Sequence, residues 1–423
     1  MQRVDIYTKS RSVSSALQRR QAVLRVFCDP VPSECAILQH LSRREWQHLL
    51  YWMDIGGLAL YFLDRVTELQ WIDLIPQDVV ARLQQNLLDS NDRTAAMIAE
   101  STAIHRSFQK ARLSYATLKG FSLWPVSVPK LELRSQLDLD FLMAEKDSSK
   151  ARRLLEGRGY HLRAISGRSW EFKSNEPSGY SLKDLYKVMP QRSVELHLEP
   201  ADAGSASLLD RTERLWFHGV FMPLLSPVDL FLGQGLHLYK HICGEFSRAA
   251  HLLEFRRHVV KRYHDGPFWQ ELREIAERDS RTPAALGLVI LLISKVMGDF
   301  APDVLTGWTV SRLPEAARLW VDLYGARSVF GDHPGSKLYL LLEREMEAAG
   351  VQPKRPLRQV LLPIGLPPAI ELATPNETLE RRVGRYGRQL RFIWFRLRFH
   401  TVEGIRYLRE SVRWRRHLND LAR

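Results

Sequence analysis

The stretch Leu137 to Met143, LDLDFLM, sets Asp138 and Asp140 on either side of a leucine in an otherwise apolar run. In a β-strand, side chains alternate faces with period two, so the aspartates project together while Leu137, Leu139 and Phe141 point into a core. Two carboxylates forced onto one face repel unless a divalent cation or a proton lies between them. The pair therefore reads as a metal site. A second alternating run, Arg192 to Leu198, turns Val194, Leu196 and Leu198 one way and Glu195 and His197 the other. It adds a third carboxylate and an imidazole that could serve as a ligand or stand just behind one.

Other metal chemistries fit less well. The aspartate run is not a calcium-binding helix-loop-helix, because Leu142 and Met143 stand where a ligand and a glycine are needed. His237 and His241 have the i, i+4 spacing of a zinc site on a helix, but Leu238 stands where a zinc protease has its glutamate. His251, Glu254 and His258 share a helical face, which reads as a solvated cluster.

The surrounding pattern is helical, then mixed, then helical. Ser42-Arg-Arg-Glu45 has capping-box spacing ahead of Trp46, Leu49, Leu50 and Met53, and Pro30 to Ala36 reads as a turn into a helix. After Ile75-Pro76, apolar residues recur at helical intervals from Leu83 to Phe108. The period then changes: Leu113 to Leu118 is a short strand breaking at Lys119-Gly120, Ser148 to Glu156 a helix, Tyr160 to Ile165 a strand, and Gly167 to Gly179 a polar loop. From Pro227 the helical period resumes, Asp332-His-Pro-Gly335 is a break, and six prolines make 350–376 a connector rather than a helix. The expected organisation is α+β. A helical region occupies 1–110, a small mixed sheet 111–200, a second helical region 201–349, the connector 350–376 and a basic amphipathic tail 377–423.

Lys119-Gly120, Arg134, Asp138-Leu-Asp140 in an apolar strand and Glu195-Leu-His197 in a later one, between helical flanks, resemble the uncharacterised nucleotidyltransferase family with the polymerase-beta-type fold. The resemblance spans roughly 35–270 and includes His237-Leu-Tyr-Lys-His241. It implies a mixed-sheet catalytic core and transfer of a nucleotidyl group from an NTP. Asp138, Asp140 and Glu195 would hold Mg²⁺ or Mn²⁺ and carry catalysis, with Lys119, Gly120 and Arg134 on the NTP. His197, Lys240 and His241 would stand behind them. The wider superfamily opens this motif with Gly-Ser or Gly-Gly, whereas this chain has Lys119-Gly120. Arg134 has a second reading as a structural partner of Asp138. The acceptor is not identified and includes small molecules, sugar phosphates, peptides and proteins.

Composition sets the outer limits. The 423 residues are 45% hydrophobic and 26% charged, as in ordinary soluble chains, but the net charge is +13. From Arg381 to Arg423, thirteen arginines face only Glu403, Glu410 and Asp420, so most of the excess sits in the tail. Its apolar positions, Leu390, Ile393, Trp394, Leu397, Ile405, Leu408, Val412 and Leu418, recur at helical spacing. That stripe suits an anionic membrane surface or a partner protein better than nucleic acid, and docking onto the chain's own body is the simpler alternative. Three cysteines without Cys-x-x-Cys spacing suit a reducing cytosol. No signal peptide or membrane-spanning run is evident, so a cytoplasmic protein is expected, with a peripheral place at the inner membrane face as the option the tail leaves open. Two other functions compete. A metal-dependent glycosyltransferase with an Asp-x-Asp motif would place a nucleotide-binding α/β half before the motif, where this chain reads as helical. A non-enzymatic anion- or membrane-binding adaptor would not need three intact carboxylates.

Overall fold

The aspartate run becomes one strand of a sheet that is reached only after four helices. A computed structural model describes residues 15–174, 184–189, 191–200, 207–244, 248–332, 335–348, 357–361, 365, 378–421 and 423. Helices α1 (15–25), α2 (Arg43–Gly56), α3 (Ala59–Glu68) and α4 (Gln77–Lys110) come first. The capping box forms: Ser42 Oγ accepts from the Glu45 amide at 3.4 Å, and the Glu45 carboxylate accepts from the Ser42 amide at 2.9 Å. Pro76 ends the preceding turn and starts α4, the long apolar-periodic segment.

Seven strands make one mixed sheet. They are β1 (Tyr115–Leu118), β2 (Leu139–Ala144), β3 (Tyr160–Ser166), β4 (Ser169–Ser174), β5 (Ser193–Glu199), β6 (Glu213–Phe217) and β7 (Val220–Leu224). Their order is β3-β4-β5-β2-β1-β7-β6. Helix α5 (Ser148–Glu156) follows β2. Strand β2 runs antiparallel to β1 and parallel to β5, with Asp140 opposite Glu195 and Leu142 opposite His197. Alternation sends Leu139, Phe141, Met143, Val194, Leu196 and Leu198 to the other face, where they pack on Ile104 and Phe108 of α4 and Ala151 and Leu155 of α5.

Several expectations need correction. The segment Gly167 to Gly179, expected as a loop, contains β4, in which Trp170 and Phe172 alternate with Glu171 and Lys173. A two-residue turn with Gly167 at φ 58° joins it to β3. The β6–β7 hairpin lies at the start of 201–349, the span whose pattern predicts a helical region; His218 and Gly219 turn it at φ 43° and 84°, as a tight hairpin of that hand requires. Strand β2 begins at Leu139, so Asp138 precedes it, and Leu137 is 43% exposed rather than in the core. Residues 33–40 form a 3₁₀ helix.

Helices α6 (Pro227–Ile242), α7 (Ala249–Lys261), α8 (Gly266–Ala276) and α9 (Arg281–Met297) then share one core with α2 and α3. Glu254 and His258 lie in that core instead of on a solvated face, because α7 packs with that side inward. Shorter helices follow: α10 (Asp303–Thr306), α11 (Glu315–Trp320), α12 (Ala326–Phe330), α13 (Tyr339–Ala348) and α14 (Leu357–Leu361). Helix α14 interrupts the expected connector, whose six prolines lie outside the described residues, as do His333 and Pro334 of the expected break. The tail is one helix, α15 (Leu379–Leu421). Its later half docks on the body: Trp414 Nε1 donates to Glu345 at 3.1 Å and Glu403 accepts from Ser336 Oγ at 2.8 Å. Among the described residues, no helix is long and apolar enough to cross a membrane.

Two buried histidines give the fold an acid sensitivity. His105 Nδ1 lies 2.9 Å from the Tyr115 hydroxyl, and His258 Nδ1 lies 2.9 Å from Gln234 Oε1. Burial pushes His105 down from 6.5 to about 4, and burial with the Arg262 charge pushes His258 down to about 3. Below pH 6.5 the unfolded chain therefore binds protons that the folded chain does not, and stability falls as pH is lowered toward 4. Thermal melts should give a lower midpoint at about pH 5 than at about pH 7; a level or rising midpoint would contradict this.

Candidate active site

Three strands and one turn bring the charged side chains together. Strand β1 ends at Leu118, and the chain turns through Lys119 at φ 50° and Gly120 at φ 44°. This turn carries Lys119 Nζ back to within 2.9 Å of Asp140 Oδ1. From β5, His197 Nε2 reaches the same oxygen at 3.1 Å and lies 3.6 Å from Glu195 Oε2. Ser169, at the start of β4, donates its hydroxyl to Glu195 Oε1. Gly120 makes room for a side-chain amide: a Cβ there would lie 2.3 Å from Gln136 Nε2 and would have to displace it. That amide in turn donates to the Asp138 carbonyl at 2.7 Å. The turn after β1 is thus locked against the lead-in to β2.

The carboxylates divide their charge. Burial would raise Asp140, but the hydrogen bond from His197 and the Lys119 ammonium hold it below the usual carboxylate range. Burial and then the Asp140 charge push Asp138 up, against the opposing pull of Lys119 and Arg134. Asp140 is the ionised partner, and Asp138 ionises less readily unless another positive charge enters.

Arg134 is anchored elsewhere. Its Nε lies 3.1 Å from Glu254 Oε1 of α7, and the Tyr61 hydroxyl donates to that oxygen at 3.0 Å. Its structural partner is therefore Glu254, while the Asp138 charge acts on it without a hydrogen bond between the two. Arg248, immediately before α7, lies in the same electrostatic neighbourhood: burial and the Arg134 charge lower its pKa, and Glu254 and Asp138 oppose them.

The site residues read from sequence separate into groups. Asp140, Glu195 and His197 each offer a ligand atom, all within 4.8 Å of one another. Asp138 stands beside this trio and outside it, and Lys119 caps it. His241 instead joins His237 and His251 in a second group of the same compactness, and Lys240 is exposed. Sequence reasoning missed Gln136, Ser169, Arg248, Glu254 and His251 as neighbours. Only Gln136, two residues before Asp138, and Ser169, across from His197 in the unread hairpin, left a usable local signal. A cavity of about 110 Å³ lined by Met97, Glu100, Leu139, Tyr160 and Ser193 is on the Leu139 face of the sheet, away from Asp140.

A family model described as uncharacterised nucleotidyltransferase matches residues 42–298, more than half of the chain. The chain belongs to the uncharacterised nucleotidyltransferase family. The matched span of this nucleotidyltransferase contains all seven strands and every charged residue of the acidic site. Among solved structures, an antigenic nucleotidyltransferase-like protein from Paracoccidioides brasiliensis is similar at 12% identity, over 51% of this chain and 97% of that chain, with a TM-score of 0.29. No curated protein matches.

The Gly120 turn is directly testable. Gly120→Ala adds the Gln136 clash to an unfavourable φ and should lower stability by about 1–3 kcal/mol in urea unfolding. A Gln136→Ala background should recover part of that loss and leave the φ strain. An unchanged midpoint for Gly120→Ala alone would rule the clash out.

Proposed function

We propose that the acidic face is the centre of a metal-dependent transfer of a nucleotidyl group from an NTP to a hydroxyl-bearing acceptor, whose class is open among small molecules, sugar phosphates, peptides and proteins. The observation that carries this reading is the convergence of Asp140, Glu195 and His197 within 4.8 Å, in a nucleotidyltransferase-family chain. The donor set fits the cation that such chemistry uses. Two carboxylates suit Mg²⁺, and one imidazole beside them is also acceptable to Mn²⁺. Asp140 and Glu195 would hold it, with His197 as a third ligand or as the group that orients them, and Asp138 would join as the added positive charge relieves its repulsion with Asp140. Bound there, the ion would offset charge on the transferring phosphoryl group and favour ionisation of the acceptor hydroxyl.

The chain's own groups do the positioning. Lys119, Arg134 and Arg248 supply positive charge for a polyphosphate. Lys119 already neutralises Asp140, and Arg134 is held by Glu254, so neither must be ordered when substrate arrives. The hydroxyl of Ser169 fixes Glu195 so that its other oxygen faces His197, a position from which Glu195 can take the acceptor's proton. Only helices precede β1 among the described residues, which removes the support a glycosyltransferase reading would need.

The tail carries a separate proposed role at an anionic membrane surface. Between 379 and 398, seven arginines face one glutamate, and the stripe that includes Leu390 and Trp394 is 65% and 67% exposed at those residues. Apolar insertion and attraction to anionic lipid act together on such a helix. This would place a cytoplasmic protein at the inner face of the membrane. Full-length protein should sediment with phosphatidylserine-containing vesicles and not with neutral phosphatidylcholine vesicles, and Leu390→Glu/Trp394→Glu should abolish it. Equal sedimentation with both lipids, or with neither, would overturn the membrane role.

The catalytic reading is tested by incubating the protein with each labelled NTP, Mg²⁺ or Mn²⁺ and a panel of acceptors. Metal-dependent NTP binding or turnover is expected, absent in Asp140→Ala and lowered about 10- to 100-fold in His197→Ala. Wild-type protein that neither binds nor turns over any NTP with metal would sink the proposal.

A further inference from the structure

Helices α6 and α7 meet in a cluster that the nucleotidyl-transfer reading leaves unused. His237 and His241 are four residues apart on α6, so their rings lie on one face, one turn apart. His251, the third residue of α7, closes the group from the neighbouring helix. The ring centroids are 4.6 Å apart for His237 and His241, 5.1 Å for His241 and His251, and 5.5 Å for His237 and His251. His237 Nε2 and His241 Nε2 approach to 3.1 Å. One nitrogen from each of the three residues can be chosen so that all lie within 4.8 Å of one another.

We propose that His237, His241 and His251 form a second metal site, for a transition-metal ion of the zinc class, distinct in its ligands from the carboxylate site.

The donor chemistry decides the class. Three imidazole nitrogens suit zinc, copper, iron or nickel, whereas magnesium prefers oxygen ligands. Zinc–nitrogen bonds of about 2.0–2.1 Å in tetrahedral geometry put ligand nitrogens roughly 3.4 Å apart, close to the 3.1 Å between His237 Nε2 and His241 Nε2 and inside the 4.8 Å span of the cluster. A purely structural histidine stack accounts for the cluster less well. The His237–His241 approach can be one hydrogen bond between neutral rings, but His251 Nδ1 is buried and has no hydrogen-bond partner among the described residues. A buried nitrogen in that condition is costly, and an ion coordinated by the cluster gives the His251 ring a function that the protein groups around it do not.

The spacing also limits what the ion would do. Three protein ligands leave the fourth tetrahedral position to water or a substrate oxygen. Leu238 stands where a helix-borne zinc protease has its base, so peptide hydrolysis by that arrangement is not implied. The Lys119 and Asp140 charges both act on His237, so the histidine cluster lies near the acidic site. The assignment does not depend on nucleotidyl transfer, because it rests on nitrogen donors from α6 and α7 alone.

The test uses the full chain, stripped with a chelator and titrated with ZnSO₄ against a chromophoric competitor, and separately with CoCl₂ followed by visible absorption. At least one saturable equivalent of Zn²⁺ per chain, the carboxylate site accounting for any second, and the absorption of tetrahedral Co²⁺ are expected. Both should survive Asp140→Ala/Glu195→Ala, and the Zn²⁺ affinity should fall about tenfold or more in His251→Gln and in His237→Gln. Circular dichroism checks that each variant is folded, and a variant that does not fold is replaced by His241→Gln. Wild-type protein that takes up no saturable Zn²⁺ overturns the proposal whatever the variants do. So does uptake that is unchanged in folded histidine variants, or that disappears in Asp140→Ala/Glu195→Ala.

Discussion

Burying the Asp140 carboxylate, only 3% exposed, is the constraint that the rest of the sheet answers. Removing such an ion from water costs several kcal/mol, and the cost is tolerable only when opposite charge and hydrogen bonds surround it. The compensation comes from two directions. Lys119 arrives from the end of β1 and His197 from β5, so β1 and β5 must flank β2, as they do. The left-handed turn at Lys119-Gly120 follows from the same need, because the chain must reverse at once for Nζ to return over β2. Behind this face, Phe141, Leu196 and the inner side of α4 and α5 form the apolar backing that lets two acidic strands lie adjacent.

A second buried pair joins this sheet to the helices. Arg134 lies in the lead-in to β2, Glu254 on α7 and Tyr61 on α3, and all three meet at one carboxylate oxygen. Losing one member of such a buried set costs more than the set adds, since the remaining charge is left unpaired. The set therefore fixes position more than it adds stability. It also sets the phase of α7: with Glu254 turned inward, His251, three residues earlier, is carried to the same side and meets α6. The acidic site and the histidine cluster are thus positioned through one helix.

What could be read from the sequence follows from how local each signal is. The period-two runs around Asp140 and Glu195 identified the two acidic strands and the faces they present, because alternation is a property of a few consecutive residues. The same logic was available for β4, where Trp170 and Phe172 alternate with charged neighbours, but Gly167 and nearby polar residues masked it as a loop. Alternation says nothing about where pairing begins, so it does not reveal that Asp138 precedes the strand, where its carbonyl accepts from Gln136 Nε2. The partnership of Arg134 with Glu254 spans 120 residues. Nothing local encodes it, and the same holds for His251 beside His237. Glu254 and His258 have the spacing of a solvated face, and only the packing of α7 shows that this face is buried.

The basic charge is organised independently of the acidic site. Lys119 and Arg134 are already paired with Asp140 and Glu254, so the site in its resting state holds no large excess of positive charge. The excess lies along α15, where the two halves of one helix meet different surroundings. In the later half, Glu403, Tyr407 and Trp414 are buried against the body, which supplies the tertiary contact that a helix needs to be stable. The earlier half continues that helix while its apolar stripe stays uncovered by the described residues, with Leu379 76% exposed at its start. Helix propagation from a docked segment costs far less than nucleation, so the uncovered half can persist without packing of its own. An apolar stripe lined with arginines and held out in this way is suited to an anionic surface, and its charge is largely screened beyond about 10 Å at moderate salt. The charge of the tail and the acidic face of the sheet are therefore held by separate parts of the chain.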